Sequence, residues 1–133
     1  MQDQLYPNWE LCIADDGSSQ PHVVAVLQAF ARKDKRIKLH LGPTNHGVSH
    51  ASNRALEMAS GPFVVLLDHD DLLEEQALFR VAESIAQDDP DMLYSDEVLV
   101  SPDGETVLQY FHRPTFSPEY LRSHPYIVHM VGF

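Results

Sequence analysis

Gly61-Pro62-Phe63-Val64-Val65-Leu66-Leu67-Asp68-His69-Asp70-Asp71 is the stretch on which the fold turns. Gly61-Pro62 ends whatever precedes it, and Phe63 to Leu67 is apolar without interruption. So short an apolar run with no alternation predicts a strand buried on both faces, as in the middle of a parallel sheet. Asp68 to Asp71 then turns the chain. Asp71 and Glu74 have capping-box spacing for a helix with the core stripe Leu78, Val81, Ala82 and Ile85, closed by Asp88-Asp89-Pro90.

Upstream the same alternation of strand and helix repeats. Trp9, Leu11 and Ile13 alternate with Glu10, Cys12 and Ala14, which predicts a strand over Trp9 to Ala14 ending at the turn Asp15-Asp16-Gly17-Ser18-Ser19. After Pro21, Val23, Val26, Leu27 and Phe30 have helical spacing. Ile37, Leu39 and Leu41 predict a second strand, stopped by Gly42-Pro43-Thr44-Asn45. A helix over Val48 to Ala59 carries the small residues Ala51, Ser52, Ala55 and Ala59, which allow close approach to a sheet. Downstream, Met92 to Val100 and Thr106 to Phe111 read as partner strands around Pro102-Asp103-Gly104. Beyond Phe111 the pattern weakens among Pro114, Pro118 and Pro125. The expectation is one α/β domain over residues 1–133 with a mainly parallel sheet.

The chain has 133 residues, 44% of them apolar, which suits one domain with a hydrophobic core. No run is long enough to cross a bilayer, and no secretory leader is expected after Met1. Cys12 is alone, which excludes a disulfide framework and a cysteine-built zinc site and fits a reducing, cytoplasmic compartment. The net charge of −11 argues against nucleic acid as a partner. The acid is concentrated between Asp68 and Glu105, where Arg80 is the only basic residue. The basic block Arg32, Lys33, Lys35, Arg36 and Lys38 reads as a solvated helix end favoured by the helix dipole.

Both acidic turns follow predicted strands, at the edge where open parallel sheets bind ligands. Either turn alone reads first as helix capping, and two at one edge reverse that preference. Carboxylates crowded into one crevice repel unless a cation is present, and oxygen-only ligands favour Mg²⁺ or Mn²⁺ completed by substrate phosphates. Other metal and phosphate motifs fail. Leu72 stands where a haloacid-dehalogenase-type signature needs Thr or Val, and Leu73 where an EF-hand needs Gly. Neither glycine-rich nucleotide motif occurs. His46 and His50 are four apart, but no Glu follows His46, as a zinc-protease pair would need, and Gly47 interrupts.

The ordered set Tyr6-Pro7-Asn8-Trp9-Glu10-Leu11, Asp15-Asp16-Gly17-Ser18, Asn45-His46-Gly47-Val48 with Asn53, and Leu67-Asp68-His69-Asp70-Asp71 resembles a family 2 glycosyltransferase of the GT-A fold, a three-layer α/β/α architecture. Tyr94-Ser95-Asp96-Glu97, Arg113-Pro114 and Ser123-His124-Pro125-Tyr126 are similar to the bacterial subgroup that builds O-antigen and other cell-surface polysaccharides.

The resemblance implies inverting, metal-assisted sugar transfer from a UDP-, GDP- or dTDP-sugar to a glycan or lipid-linked acceptor. It implies that Asp15 and Asp16 hold the base and ribose, and that Asp68 and Asp70 form a D-x-D motif, with Asp68 on ribose and both on Mn²⁺ or Mg²⁺. Asn45, Gly47 and Asn53 border the donor pocket. Asn53 reads equally as a structural amide on a helix face. Asp96 is the candidate for contact with the acceptor and for the catalytic role, and an exposed strand end is its plainer reading. The resemblance places a first strand before this chain and the usual base beyond Phe133. An exposed sheet edge would favour a homodimer, and peripheral attachment at the inner face of a bacterial membrane is expected of a longer polypeptide. Two other classes stay open: a non-catalytic nucleotide-binding or interaction fragment, and a metal-dependent nucleotidyltransferase.

Overall fold

The computed structural model describes residues 1–128 and 130–133, in two compact units, Met1–Val64 and Val65–Phe133. The first unit contains β1 (Leu11–Asp15), α1 (Pro21–Lys33), β2 (Ile37–Leu41) and α2 (Val48–Met58). The second contains β3 (Val65–Leu66), α3 (Ala77–Asp88), β4 (Leu93–Tyr94), β5 (Glu97–Val100), β6 (Val107–Phe111), α4 (Pro118–Ser123) and β7 (Val131–Gly132). Among the described residues no helix is long and apolar enough to cross a membrane.

In the first unit β1 and β2 pair in parallel, Leu11 opposite Ile37 through Asp15 opposite Leu41. Helix α1 is the crossover between them and packs on β2, while α2 packs on β1. Pro21 opens α1, where its missing N–H costs no hydrogen bond, and Arg32 and Lys33 occupy the last turn, as the helix dipole favours. Past the helix, Asp34 accepts from the Arg36 backbone and from its guanidinium at 2.7 Å, so its carboxyl is held down at about 2. Arg36 in turn lies 3.7 Å from the centre of the Trp9 ring and donates to the Pro7 carbonyl. The chain entering β1 is thereby tied to the chain entering β2.

A second polar knot fixes the far end of α2. Lys38 of β2 reaches the Met58 carbonyl at 2.8 Å and the Glu10 carboxylate at 2.6 Å. Glu10 also accepts from the Ser60 amide and hydroxyl and from Gly61 N–H. One lysine and one glutamate thus terminate the helix and anchor it to the sheet.

In the second unit the expected mainly parallel sheet gives way to mixed pairing. Strands β3 and β4 run in the same direction on either side of α3 in sequence, as a crossover unit requires. They do not touch; β7 lies between them, antiparallel to both, with Gly132 opposite Val65 and Leu93. The run Phe63 to Leu67, expected as a five-residue buried strand, contributes only Val65 and Leu66 to pairing. Leu66 is 48% exposed. Met92 to Val100 is likewise broken, because Ser95 and Asp96 leave the ladder between β4 and β5. The antiparallel hairpin β5–β6 turns through Ser101 to Thr106 with Gly104 at φ 76°.

The helix expected to start from Asp71 begins later. Helix α3 starts at Ala77 after Gln76, with no side-chain cap, because the Glu74 carbonyl closes a turn with Ala77 N–H ahead of the helix. Its other end follows the sequence: Asp89 adopts the left-handed conformation at φ 46° and Pro90 prevents continuation. Of the stripe, Leu78 is buried and Val81, Ala82 and Ile85 are half-buried. Helix α4 has a clear start, the Ser117 hydroxyl accepting from Tyr120 N–H with Pro118 and Glu119 in the first turn. Tyr126, 2% exposed, is packed between Tyr94 and Tyr120 and accepts from Ser117 N–H at 3.0 Å.

Glu10 is lowered from 4.5 to about 2, first by Lys38 and then by the Ser60 amide, with burial opposing. A depressed carboxylate stabilises the fold fully above its unfolded value and loses that stabilisation as pH falls from about 4.5 to about 2. Glu10→Gln should therefore cost about 1 kcal/mol at pH 7 and leave a flatter stability profile across that acid window. Urea melts at a series of pH values measure both.

Candidate functional site

The residues singled out in the first unit come together where β1 and β2 end. Asp15, 8% exposed, closes β1; its carboxylate accepts from Ser18 N–H and its carbonyl from Gly42 N–H at 2.7 Å. Asp16 reaches across to the loop after β2. Its Oδ2 accepts from His46 N–H at 2.8 Å and from Gly47 N–H at 2.7 Å. Asn45 Oδ1 shares the Gly47 N–H at 3.1 Å. Burial alone would raise the Asp16 pKa, and these two amides outweigh it, so its carboxyl is held below the ordinary value. Two backbone N–H groups thus face the charge of Asp16. Gly17 completes the contact at φ 79°; a Cβ there would lie 2.8 Å from the Thr44 carbonyl carbon.

Gly47 precedes α2 at φ 91°, a conformation that favours glycine, and a Cβ there would meet nothing. The His46 and His50 rings sit 4.7 Å apart, with His46 bonded to the Thr44 hydroxyl and His50 3.6 Å from Asp16. Asn53 lies farther along α2 and is exposed.

In the second unit Asp68 to Asp71 forms a turn, Asp71 N–H reaching the Asp68 carbonyl at 3.3 Å. Asp68 and Asp70 are exposed, the Asp70 side chain by 77%. Asp70 and Asp71 line a cleft of about 870 Å³ together with Arg80 of α3, Tyr94 and Asp96. A space of that size accommodates a small-molecule ligand. Among the described residues no three His, Cys, Asp or Glu side chains converge to hold a metal ion. Two exposed carboxylates are nevertheless a donor set that suits Mg²⁺ or Mn²⁺, which keep several positions for water and phosphate oxygens.

Asp96 is fixed at both oxygens. Oδ1 accepts from Arg113 N–H at 2.7 Å, and Oδ2 pairs with His112 Nδ1 at 2.8 Å. The Arg113 amide, then His112, holds its carboxyl below the ordinary value. Beside it Glu97 pairs with the Arg113 guanidinium, which also lies 5.6 Å from the Phe111 ring. His112 is a residue of this site that the sequence analysis does not single out. The hairpin brings it there: Glu97 opposite Phe111 puts Asp96 opposite His112, beyond a register shift between Leu99 and Val100 that hides the pairing from the sequence.

Residues 1–127 match the profile of the family described as Glycosyl transferase family 2. The chain is 40% identical over 131 residues to an uncharacterised protein of Sinorhizobium fredii, covering 98% of this chain and 14% of that protein. It is 31% identical over 132 residues to the O-antigen biosynthesis protein RfbC of Myxococcus xanthus, covering 98% and 10%. Over 69 residues it is 44% identical to a UDP-Glc:alpha-D-GlcNAc-diphosphoundecaprenol beta-1,3-glucosyltransferase of Escherichia coli, covering 52% and 26%. The chain thus spans a minor part of each of these relatives.

The two turn glycines separate conformational strain from steric collision. Gly17→Ala adds a backbone clash to a positive φ and should cost about 2–3 kcal/mol. Gly104→Ala, with open space around it, should cost only about 1 kcal/mol. Equal losses in denaturant melts would show that the approach of Gly17 to Thr44 does not hold the loops together.

Proposed function

The chain belongs to glycosyl transferase family 2, and we propose that it is the donor-binding and acceptor-facing portion of an enzyme that moves a sugar from a nucleotide diphosphate to a glycan or lipid-linked acceptor. The observation that carries this reading is the shared cleft of the second unit, whose lining includes both Asp70, on the donor side of the family pattern, and Asp96, on the acceptor side.

The chemistry follows from what each group can do. The bond between the anomeric carbon and the diphosphate breaks as an acceptor hydroxyl attacks from the opposite face, so the configuration inverts. Asp68 and Asp70 would hold Mg²⁺ or Mn²⁺ against the diphosphate, and the bound cation would neutralise the charge of the departing group. Asp15, Asp16, Asn45 and Gly47 support the wall for base and ribose: Asp16 fixes the loop, while Asn45 and Asp15 carry the remaining acceptor oxygens. Asn53, farther along α2, would border the donor pocket as the family pattern implies. A relative that uses UDP-glucose supports a uridine nucleotide as the donor class.

Asp96 orients the acceptor hydroxyl. With two hydrogen bonds and a pKa below the usual carboxylate value it is a weak proton acceptor. Positioning is therefore its role, and the base is a different group.

Calorimetric titration with UDP, GDP and dTDP, each with and without Mn²⁺, tests the donor site. One nucleotide, expected to be UDP, should bind with metal-dependent affinity. The Asp68→Asn/Asp70→Asn double variant should weaken that binding at least about tenfold, a loss of about 1.4 kcal/mol. Asp16→Ala should weaken it with or without metal. Absence of binding by all three nucleotides would defeat the proposal.

A further inference from the structure

Behind the Asp96–His112 pair, in the same unit, lies an open recess of about 530 Å³ lined by His112, Arg113, Pro114, Ser117 and Tyr120. It is separate from the cleft that holds Asp70, and Asp96 connects the two: it lines the cleft and its Oδ2 holds His112 at 2.8 Å. The lining is mostly apolar and its flat groups are held in place. Tyr120 stacks with His124 at 5.7 Å and contacts the buried Tyr126 at 5.0 Å, tilted by 31°. His112, just past β6, is parallel to Tyr110 within 3°, at 6.2 Å. Both rings are open to solvent: the His112 side chain is 80% exposed and Tyr110 62%.

The charges say which ligand fits. Arg113 is matched by Glu97, and His112 faces Asp96, so the recess offers no unmatched positive charge to a phosphate or a carboxylate. What it does offer is ring faces beside pinned polar atoms. A pyranose has the complementary surface, an apolar C–H face with a rim of hydroxyls, and amphipathic aromatic rings suit such a ligand. Because the polar side chains are already held by neighbours, little side-chain entropy is lost on binding.

We propose that this recess is a second acceptor subsite, which takes a neutral sugar unit of the acceptor glycan next to the unit oriented by Asp96. The proposal rests on the glycosyltransferase reading and adds to it that the acceptor is recognised over at least two sugars. His112 joins the two positions, giving one nitrogen to Asp96 and its ring to the neighbouring sugar.

The test is binding of the fluorescently labelled chain to an array of neutral mono- and oligosaccharides from bacterial surface polysaccharides, with nucleotide titration of the same preparation alongside. Wild-type protein should bind a subset of oligosaccharides and prefer them to the matching monosaccharides. His112→Ala, at an exposed position that does not threaten folding, should lower that binding at least tenfold. Tyr120→Leu should do the same, and Tyr120→Phe should retain it. Nucleotide binding without any glycan binding would overturn the subsite and leave the donor reading standing. Glycan binding unchanged in His112→Ala, or no preference for oligosaccharides, would also overturn it. Loss of both nucleotide and glycan binding in the wild type would sink the donor reading and the subsite together.

Discussion

The first unit depends on one carboxylate. Asp16 takes two backbone N–H groups from a loop thirty residues away in the chain. A parallel pair leaves its two C-terminal loops side by side with no turn joining them, so some side chain must cross the gap. A short acid is suited to this, since one oxygen can accept two adjacent amides that would otherwise face solvent ahead of α2. The approach of Gly17 to Thr44 is possible because neither a side chain nor a bulkier backbone intervenes. Everything expected of the nucleotide wall is built on that crossing.

The second unit solves a different problem. Its acidic residues are spread along turns and strand ends, and their surroundings differ. Asp96 is met by an amide and an imidazole, Glu97 by a guanidinium, while Asp70 is left open to solvent. The contrast bears on function: carboxylates that are already bonded position things, whereas Asp70 stands exposed in the lining of a cleft. The same contrast distinguishes Asp16 from Asp70, although both lie in acidic turns after strands.

Much of this was legible in the residues. The alternation at Ile37 to Leu41, the helical spacing after Pro21 and the Asp89-Pro90 stop each correspond to an element or boundary in the structure. The grouping of Asp15, Asp16, Asn45 and Gly47 came from the resemblance of their motifs to one family, and the structure brings these four together. Pairing partners were less accessible. Five apolar residues in a row resemble the centre of a parallel sheet, yet what lies beside β3 is a two-residue strand, Val131–Gly132, with no periodicity to announce it. The spacing of Asp71 and Glu74 pointed to a helix start there, whereas α3 begins at Ala77, behind a turn closed by the Glu74 carbonyl. Ser117-Pro118-Glu119 was a readable helix start that the surrounding prolines obscured. The importance of His112 lay in register, and a count outward from the turn would have missed it, because the shift between Leu99 and Val100 moves the partner of Asp96 from Phe111 to His112.

The slot between β3 and β4 has a consequence for how the chain acquires its structure. The first unit is assembled from neighbours in sequence and can form as soon as α2 has been synthesised. In the second unit, two strands made early must wait for β7, far downstream, before either has a partner. Contacts between such distant segments close slowly. During that interval Val65, Leu66, Leu93 and Tyr94 present unpaired backbone and apolar side chains. On the ribosome this half of the chain is therefore the later to fold, and it is the half that chaperones have most reason to hold.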